Sequence, residues 1–324
     1  MNVTTIKGLD KKVSRVVMGT GWFAPEFKTV IYDLLDRYVA AGGNVIDTGR
    51  FYNGGKSEAI ITEWLNDRKN RDQLIIINKA CHHYVDENNV HYPEKSRVKP
   101  EYITEDLEYS LQNMGVDYFD IYLLHRDDVN EPVSGLMDTL EKHHLEGKIK
   151  TYGMSNWSNE RIQEAVSYCK SKGYTGIRVN SPSYSLATIN KPRWVGTVYV
   201  DADYVQSSNE EGITILSWAA QSAGFFVPLW SSIDSEAPED IKNAYFTEDN
   251  FKKLNRVIEV ATKRGGGIEP VNVALAYVLH PRFNVFASIG PRNMHELESS
   301  LKALDIELTK QEIEYLELKT DKCV

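Results

Sequence analysis

Short β-rich runs alternate with amphipathic helical stripes along almost the whole chain, and this rhythm constrains the fold more than any other feature. Eight runs stand out, at 16–19, 44–47, 74–79, 119–124, 149–155, 177–182, 213–217 and 284–289. Between them apolar residues recur at helical spacing. Val30, Ile31, Leu34, Leu35, Tyr38 and Val39 share a face and stop at Gly42-Gly43. Ile60, Ile61, Trp64 and Leu65 follow Ser57, a candidate N-cap. Similar stripes end at Gly115, Gly147, Gly173 and the glycines at 265–267, which read as a helix stop and a loop; Thr309 and Glu312 have capping-box spacing.

Runs that are apolar on both faces belong to a parallel sheet covered by helices. Eight strand-then-helix units predict an α/β protein, a (β/α)8 TIM barrel, with a doubly wound sheet as the competitor. The doubly wound dinucleotide fold carries G-x-G-x-x-G after its first strand, and no G-x-G-x-x-G follows the first run here. The barrel is therefore expected as one domain over residues 1–324. Two connections are long, 183–211 and the one starting near Gln221, and long loops in compact domains tend to be functional. Residues 225–235 read as a lid or pocket wall, or alternatively as a packed surface loop, and 4–15 as a hairpin closing the barrel floor.

Composition narrows the partners. Hydrophobic residues make up 42% of the 324, enough for a large core. Lys plus Arg number 37 against 46 Asp plus Glu, a net charge of −9, which disfavours nucleic acid. No run approaches the roughly 18 apolar residues of a membrane helix, and no charged-then-apolar leader opens the chain. Cys81, Cys169 and Cys323 share no metal-like spacing and read as free thiols, so the expectation is a soluble cytoplasmic protein. Oligomeric state is not legible.

Barrel active sites lie at the C-terminal strand ends. There the second run ends in Asp47, with Tyr52 in the loop beyond; the third ends in Lys79 and the fourth is followed by His125. An ammonium lowers a neighbouring phenol's pKa, a carboxylate holds the ammonium, and an imidazole orients a carbonyl or shares the proton. The set suits protonation of the alkoxide that forms when hydride reaches a carbonyl. Each residue alone has a plain structural reading; four at neighbouring strand ends point to catalysis.

The stretch from Asp47 through Tyr52 to Ser57-Glu58 resembles the D-x4-Y-x4-S-E signature of aldo-keto reductases. Lys79, Tyr122-Leu-Leu-His125-Arg-Asp, Gly147-Lys-Ile and Gly153-Met-Ser155-Asn156-Trp157 follow in order, so the resemblance covers nearly the whole chain. The His125-Arg-Asp-Asp and Ser155-Asn-Trp pieces resemble the bacterial branch of that superfamily. The resemblance implies a nicotinamide cofactor bound in extended form on a barrel. It implies Tyr52 as general acid, Asp47 and Lys79 as its tuners, and His125 as the group orienting the carbonyl. Ser155, Asn156 and Ser181 (often Gln in the family) match positions holding the carboxamide. Trp218, where Tyr is usual, matches the aromatic stacked on the nicotinamide. Gly19-Thr20 resembles the turn beneath the pyrophosphate, and Asp47 also belongs to this cofactor set.

The eighth run continues through Ser288, Gly290 and Arg292 into a helix, the place where barrels bind phosphate. Arg292 suits the 2′-phosphate of NADP(H), the expected cofactor. Glu296 would repel that phosphate, which keeps NAD(H) as the alternative. Trp22, Phe23, His83, Arg126, Phe225 and Trp230 are candidate substrate contacts for a small-molecule aldehyde or ketone, a sugar-like carbonyl among them. The pairs His82-His83 and His143-His144 lack a spacing that completes a metal site, so no metal is expected, and the second pair reads as a solvated helix end. Two rivals share the barrel: a cofactor-binding sensor or auxiliary subunit with slow turnover, and a metal-dependent hydrolase using Asp47 and His125.

Overall fold

The computed structural model describes residues 1–322 apart from Asn89, so Cys323 lies outside the described residues. The barrel strands are β1 (Val16–Gly19), β2 (Val45–Asp47), β3 (Ile75–Ala80), β4 (Phe119–Leu124), β5 (Ile149–Ser155), β6 (Val179–Ser181), β7 (Thr214–Ser217) and β8 (Val285–Ile289). All neighbours are parallel, and β8 pairs with β1 and β5 with β6 to close the ring. The expected TIM barrel is the fold.

Six helices follow the first six strands: α1 (Lys28–Ala40), α2 (Lys56–Arg68), α3 (Pro100–Met114), α4 (Val133–Leu145), α5 (Asn159–Lys172) and α6 (Ala202–Glu210). Between β7 and β8 come α7 (Glu239–Tyr245), α8 (Glu248–Arg264) and α9 (Pro270–Val278), and the chain ends through α10 (Met294–Lys302) and α11 (Lys310–Leu316). Helix α9 is buried at every position from Val271 to Val278, so it has no polar face and no stripe to reveal it. None of the helices among the described residues is long and apolar enough to cross a membrane.

Strand alternation sorts the residues. Val17, Val45, Ile75, Ile77, Ile121, Leu123, Val179, Leu216 and Phe286 point inward and fill the barrel, while Val16, Met18, Ile46, Ile76, Tyr122 and Leu124 point outward under the helices. The N-terminal hairpin pairs Val3–Thr4 with Val13–Ser14, and its Ile6 and Val13 join the inner cluster, closing the floor.

Two local expectations are corrected. Ser57 is not a cap: it lies inside α2, and its hydroxyl donates to the Thr20 and Phe23 carbonyls at 2.7 and 3.2 Å, tying α2 to the β1 loop. Beside it Glu58 is fully buried, accepting from Asn78, Ser110 and Asn113. His143 is not solvated either. It is 1% exposed, hydrogen-bonded to Thr104 at 2.9 Å, because its helix turn faces α3. Cys81 and Cys169 are free and buried.

Candidate active site

The same alternation that fills the barrel delivers the site. Continuing each inward-facing series by one more step, from Val17, Val45, Ile77, Leu123, Val179, Leu216 and Phe286, reaches Gly19, Asp47, Lys79, His125, Ser181, Trp218 and Ser288. On β5 the same parity reaches Ser155. The chemistry-bearing residues therefore form the top layer of the barrel interior.

Lys79 is the centre of the β2–β4 corner. Its ammonium is 2% exposed, forms an ion pair with Asp47, and donates to the Thr48 carbonyl at 3.0 Å and to Tyr52 Oη at 2.9 Å. Burial works to lower the Lys79 pKa, but the Asp47 carboxylate and the Tyr52 phenol more than offset it and hold it above 10.5. Burial also lifts the Tyr52 phenol above 10, against the pull of Lys79. The expected net lowering is thus reversed: the enclosed phenol stays protonated at neutral pH, the state a proton donor needs.

His125 meets Tyr52 edge-on, with ring centroids 5.5 Å apart. Burial, then the neighbouring His82 and Arg126, hold it well below its usual pKa, so the imidazole is neutral. Its Nδ1 is buried with no hydrogen-bond partner among the described residues. Its backbone is pinned: the N–H donates to Ala80 O at 2.7 Å, and its carbonyl accepts from Asn156 Nδ2 at 3.2 Å and from Arg126 at 2.9 Å. The loop carrying Tyr52 is held from outside by Arg50, which pairs with the buried Asp106 together with Arg97.

On the opposite side, Ser155 Oγ donates to Ser181 O at 2.9 Å. Asn156 adopts φ 62°, a left-handed conformation that asparagine tolerates better than most side chains. Its Oδ1 accepts from Trp218 Nε1 at 3.0 Å, fixing the half-buried indole, which Trp194 and Tyr199 flank at centroid distances of 5.8 and 5.1 Å. Trp194 and Tyr199 sit in an irregular loop without periodicity; only the aromatic density there could have flagged them.

Between β1 and β8 the backbone is tightly apposed. A Cβ at Gly19 would lie 2.6 Å from Ser288 Oγ and 2.9 Å from Ile289 O. Thr20 is buried, with its hydroxyl donating to Asp47 O at 2.9 Å. Gly290 and Arg292 are exposed past the end of β8. The Glu296 carboxylate folds back over the α10 N-terminus, accepting from the Arg292 N–H and from Asn293 Nδ2, both at 2.8 Å.

The substrate candidates divide. Phe225 is fully buried, packed with Phe226, Tyr245, Phe246 and Phe251, and Trp230 covers this cluster from the half-exposed side. Phe23 is equally buried, edge-on to Trp22. Both phenylalanines are thereby corrected from pocket wall to core, because helices α7 and α8 and the β1 loop enclose them. Trp22 and His83 remain partly exposed, as does Arg126, whose guanidinium burial lowers to about 10. His82, next to the substrate candidate His83, lies with its ring centroid 4.7 Å from that of His125.

Comparison with known proteins agrees with this geometry. The model of the aldo/keto reductase family matches residues 15–321. A norsolorinic acid reductase of Emericella nidulans is 27% identical over 323 residues, covering 94% of this chain and 78% of its own length. An aryl-alcohol dehydrogenase (NADP+) of Phanerodontia chrysosporium is 24% identical, covering 89% and 75%. These relatives do not show the expected bacterial placement. A thermostable aldo-keto reductase, solved with the inhibitor epalrestat, superposes with a TM-score of 0.73 at 20% identity, over 99% of this chain and 100% of its own. Barrel, corner and family match converge: this chain belongs to the aldo/keto reductase family.

Proposed function

We propose that the chain is an NADP(H)-dependent carbonyl reductase, able to run as an alcohol dehydrogenase, with Tyr52 as the proton donor. The observation that carries this reading is the Lys79 ammonium held between Asp47 and Tyr52, with neutral His125 edge-on to the phenol.

The mouth fits a nicotinamide dinucleotide on its own features. A side chain at Gly19 would fill the cradle against Ser288, the Trp218 indole is held half-exposed by Asn156, and His125 Nδ1 is an orphaned polar atom. Gly19, Thr20, Ser155, Asn156, Ser181, Trp218, Ser288, Gly290 and Arg292 are the residues proposed to hold it. A bound nicotinamide supplies hydride to the carbonyl carbon.

The chain's own residues do the rest. Tyr52 Oη gives its proton to the carbonyl oxygen, and the phenolate left behind is stabilised by the Lys79 ammonium 2.9 Å away. Asp47 keeps that ammonium in place, and the neutral His125 ring offers an N–H to the same oxygen. Arg126, Trp22 and His83 are proposed on the substrate side. Half-buried Trp218 and half-exposed Trp194, their rings tilted 50° to each other, give the mouth an aromatic wall. That wall and the aryl-alcohol and norsolorinic acid relatives favour an aromatic aldehyde or ketone over a sugar.

The test is NADPH oxidation with a panel of aromatic and sugar aldehydes. Aromatic aldehydes are expected to give the higher kcat/KM, and Tyr52→Phe to lower turnover by about 10²-fold or more while NADPH still quenches tryptophan fluorescence. Turnover in Tyr52→Phe within about tenfold of the parent rejects the assignment.

A further inference from the structure

The chain leaves β3 through Cys81, whose φ of 60° is left-handed and whose N–H is held by Asp106 Oδ2 at 2.8 Å. The strand's alternation, which sends adjacent side chains to opposite faces, ends at this turn. His82 and His83 consequently lie side by side, ring centroids 3.8 Å apart. A small antiparallel ladder follows, pairing Tyr84–Val85 with His91–Tyr92 and setting Val85 opposite His91. His83 shares the face of Val85, so His91 returns diagonally to it, and His83 Nε2 stands 2.9 Å from His91 Nδ1. One ring nitrogen from each of the three histidines lies within 4.8 Å of the others.

We propose that His82, His83 and His91 form a binding site for a zinc-class divalent cation at the rim of the mouth. Three imidazoles with a fourth position left for water are an established zinc arrangement, and imidazole selects zinc, copper or nickel over magnesium and calcium. His82 Nδ1 lies 3.2 Å from the His83 carbonyl, which can only accept; the proton therefore sits on Nδ1 and the Nε2 lone pair is free. A backbone carbonyl fixing the far nitrogen in this way is the usual support of a ligating histidine. Zinc–nitrogen bonds of about 2.0–2.1 Å place tetrahedral ligands about 3.3 Å apart. The His83–His91 pair must open slightly and the third ring close in; His91, exposed on the ladder, has the freedom to do so. Charges nearby act in both directions, with Arg126 opposing a cation beside His82 and His83, and Glu94 favouring one at His83. Bound there, the ion ties the Tyr84–Tyr92 ladder to the end of β3, with the His82 ring 4.7 Å from that of His125. The site does not depend on the catalytic reading.

The full-length protein, freed of metal with a chelator, is titrated with Zn2+ in competition with a chromophoric chelator, and with Co2+ by visible absorption. The expected result is one ion per chain, a tetrahedral Co2+ spectrum without a thiolate charge-transfer band, and at least about 10- to 100-fold weaker binding in His91→Gln. His83→Gln is expected to match it. His295→Gln, whose ring faces Glu269 on the surface, is expected to bind as the parent does. Circular dichroism confirms that the variants keep the parent's fold. The proposal is overturned by absent or non-stoichiometric binding, by a thiolate band, by binding that follows His295, or by His91→Gln and His83→Gln each binding within about threefold of the parent.

Discussion

Lys79 Nζ donates to Tyr52 Oη across 2.9 Å while the same ammonium is paired with Asp47 beneath it. The phenol is thus tied to a charge that favours its anion but sits in an enclosure that favours its neutral form, and enclosure wins. The free enzyme therefore presents a protonated acid.

Carbonyl reduction should be insensitive to Tyr52 ionisation through neutral pH and fall only above pH 10, as the phenol loses its proton. Alcohol oxidation, which needs the phenolate, should rise with pH over the same range. Tyr52→Phe should lower kcat by about 10²- to 10⁴-fold, the usual share of a positioned acid. Steady-state rates in both directions between pH 6 and 11 check this; parallel profiles in the two directions would contradict it.

Lys79→Met should be costly for stability as well as activity. It leaves the Asp47 carboxylate, 4% exposed, without its counter-ion, a change worth about 3–5 kcal/mol at a buried pair. The double variant Asp47→Asn/Lys79→Met should recover part of that loss. Because the folded Lys79 pKa is raised above 10.5, the Lys79 contribution is complete below that pH and disappears as pH climbs through the folded value, while burial, which lifts the Asp47 carboxyl, works against the pair from the acid side. Urea denaturation of parent and variants at neutral and at strongly alkaline pH measures both effects.

Gly153 tests how closely the strands must approach. A Cβ there would lie 1.8 Å from the Val179 carbonyl oxygen on the neighbouring β6, with that backbone unable to yield without breaking the barrel register. Gly153→Ala should destabilise by more than about 4 kcal/mol, the range reserved for severe core strain. Soluble yield and thermal midpoint report it; a midpoint within a few degrees of the parent contradicts the packing described.

Asp106 joins fold and site at a distance. It is fully buried and accepts from Arg50, Arg97 and the Cys81 N–H, so it anchors both the Tyr52 loop and the turn after Lys79. Asp106→Ala should cost about 3–5 kcal/mol through the charges left unpaired. It should also lower kcat with little change in cofactor affinity, since the residues proposed to hold the cofactor lie on the other strands. Denaturation curves and a kcat against KM comparison separate the two parts.

Much of this is legible in the amino-acid sequence. Strand alternation is a property of the sequence, so Asp47, Lys79 and His125 could be read as strand-end residues, and their convergence followed from the strand order. What the sequence hid has physical causes. Helix α9 is buried all round and shows no stripe. Phe225 looked like a pocket wall because its run is aromatic, yet the packing partners Tyr245, Phe246 and Phe251 come from helices that follow it. The neighbourhood of His82, His83 and His91 depends on the turn at Cys81 and a short ladder, which residue spacing alone does not encode.

Cofactor choice is proposed to turn on Arg292 and Glu296. Arg292 is exposed at the end of β8, suited to a 2′-phosphate, while Glu296 already places its carboxylate on the Arg292 N–H and beside Asn293 at the α10 N-terminus. An incoming phosphate competes with that carboxylate for the same donors and meets its charge. Arg292→Ala should therefore raise the KM for NADPH by about 10-fold or more while leaving that for NADH nearly unchanged, a difference of about 1.4 kcal/mol. Glu296→Gln should move the preference the opposite way, tightening NADPH selectively, and the gain should shrink as ionic strength rises because the site is open to solvent. Fluorescence titrations with both dinucleotides at low and high salt measure these shifts. If neither substitution changes the NADPH to NADH ratio, the 2′-phosphate is read elsewhere on the mouth and the role proposed for Arg292 is wrong.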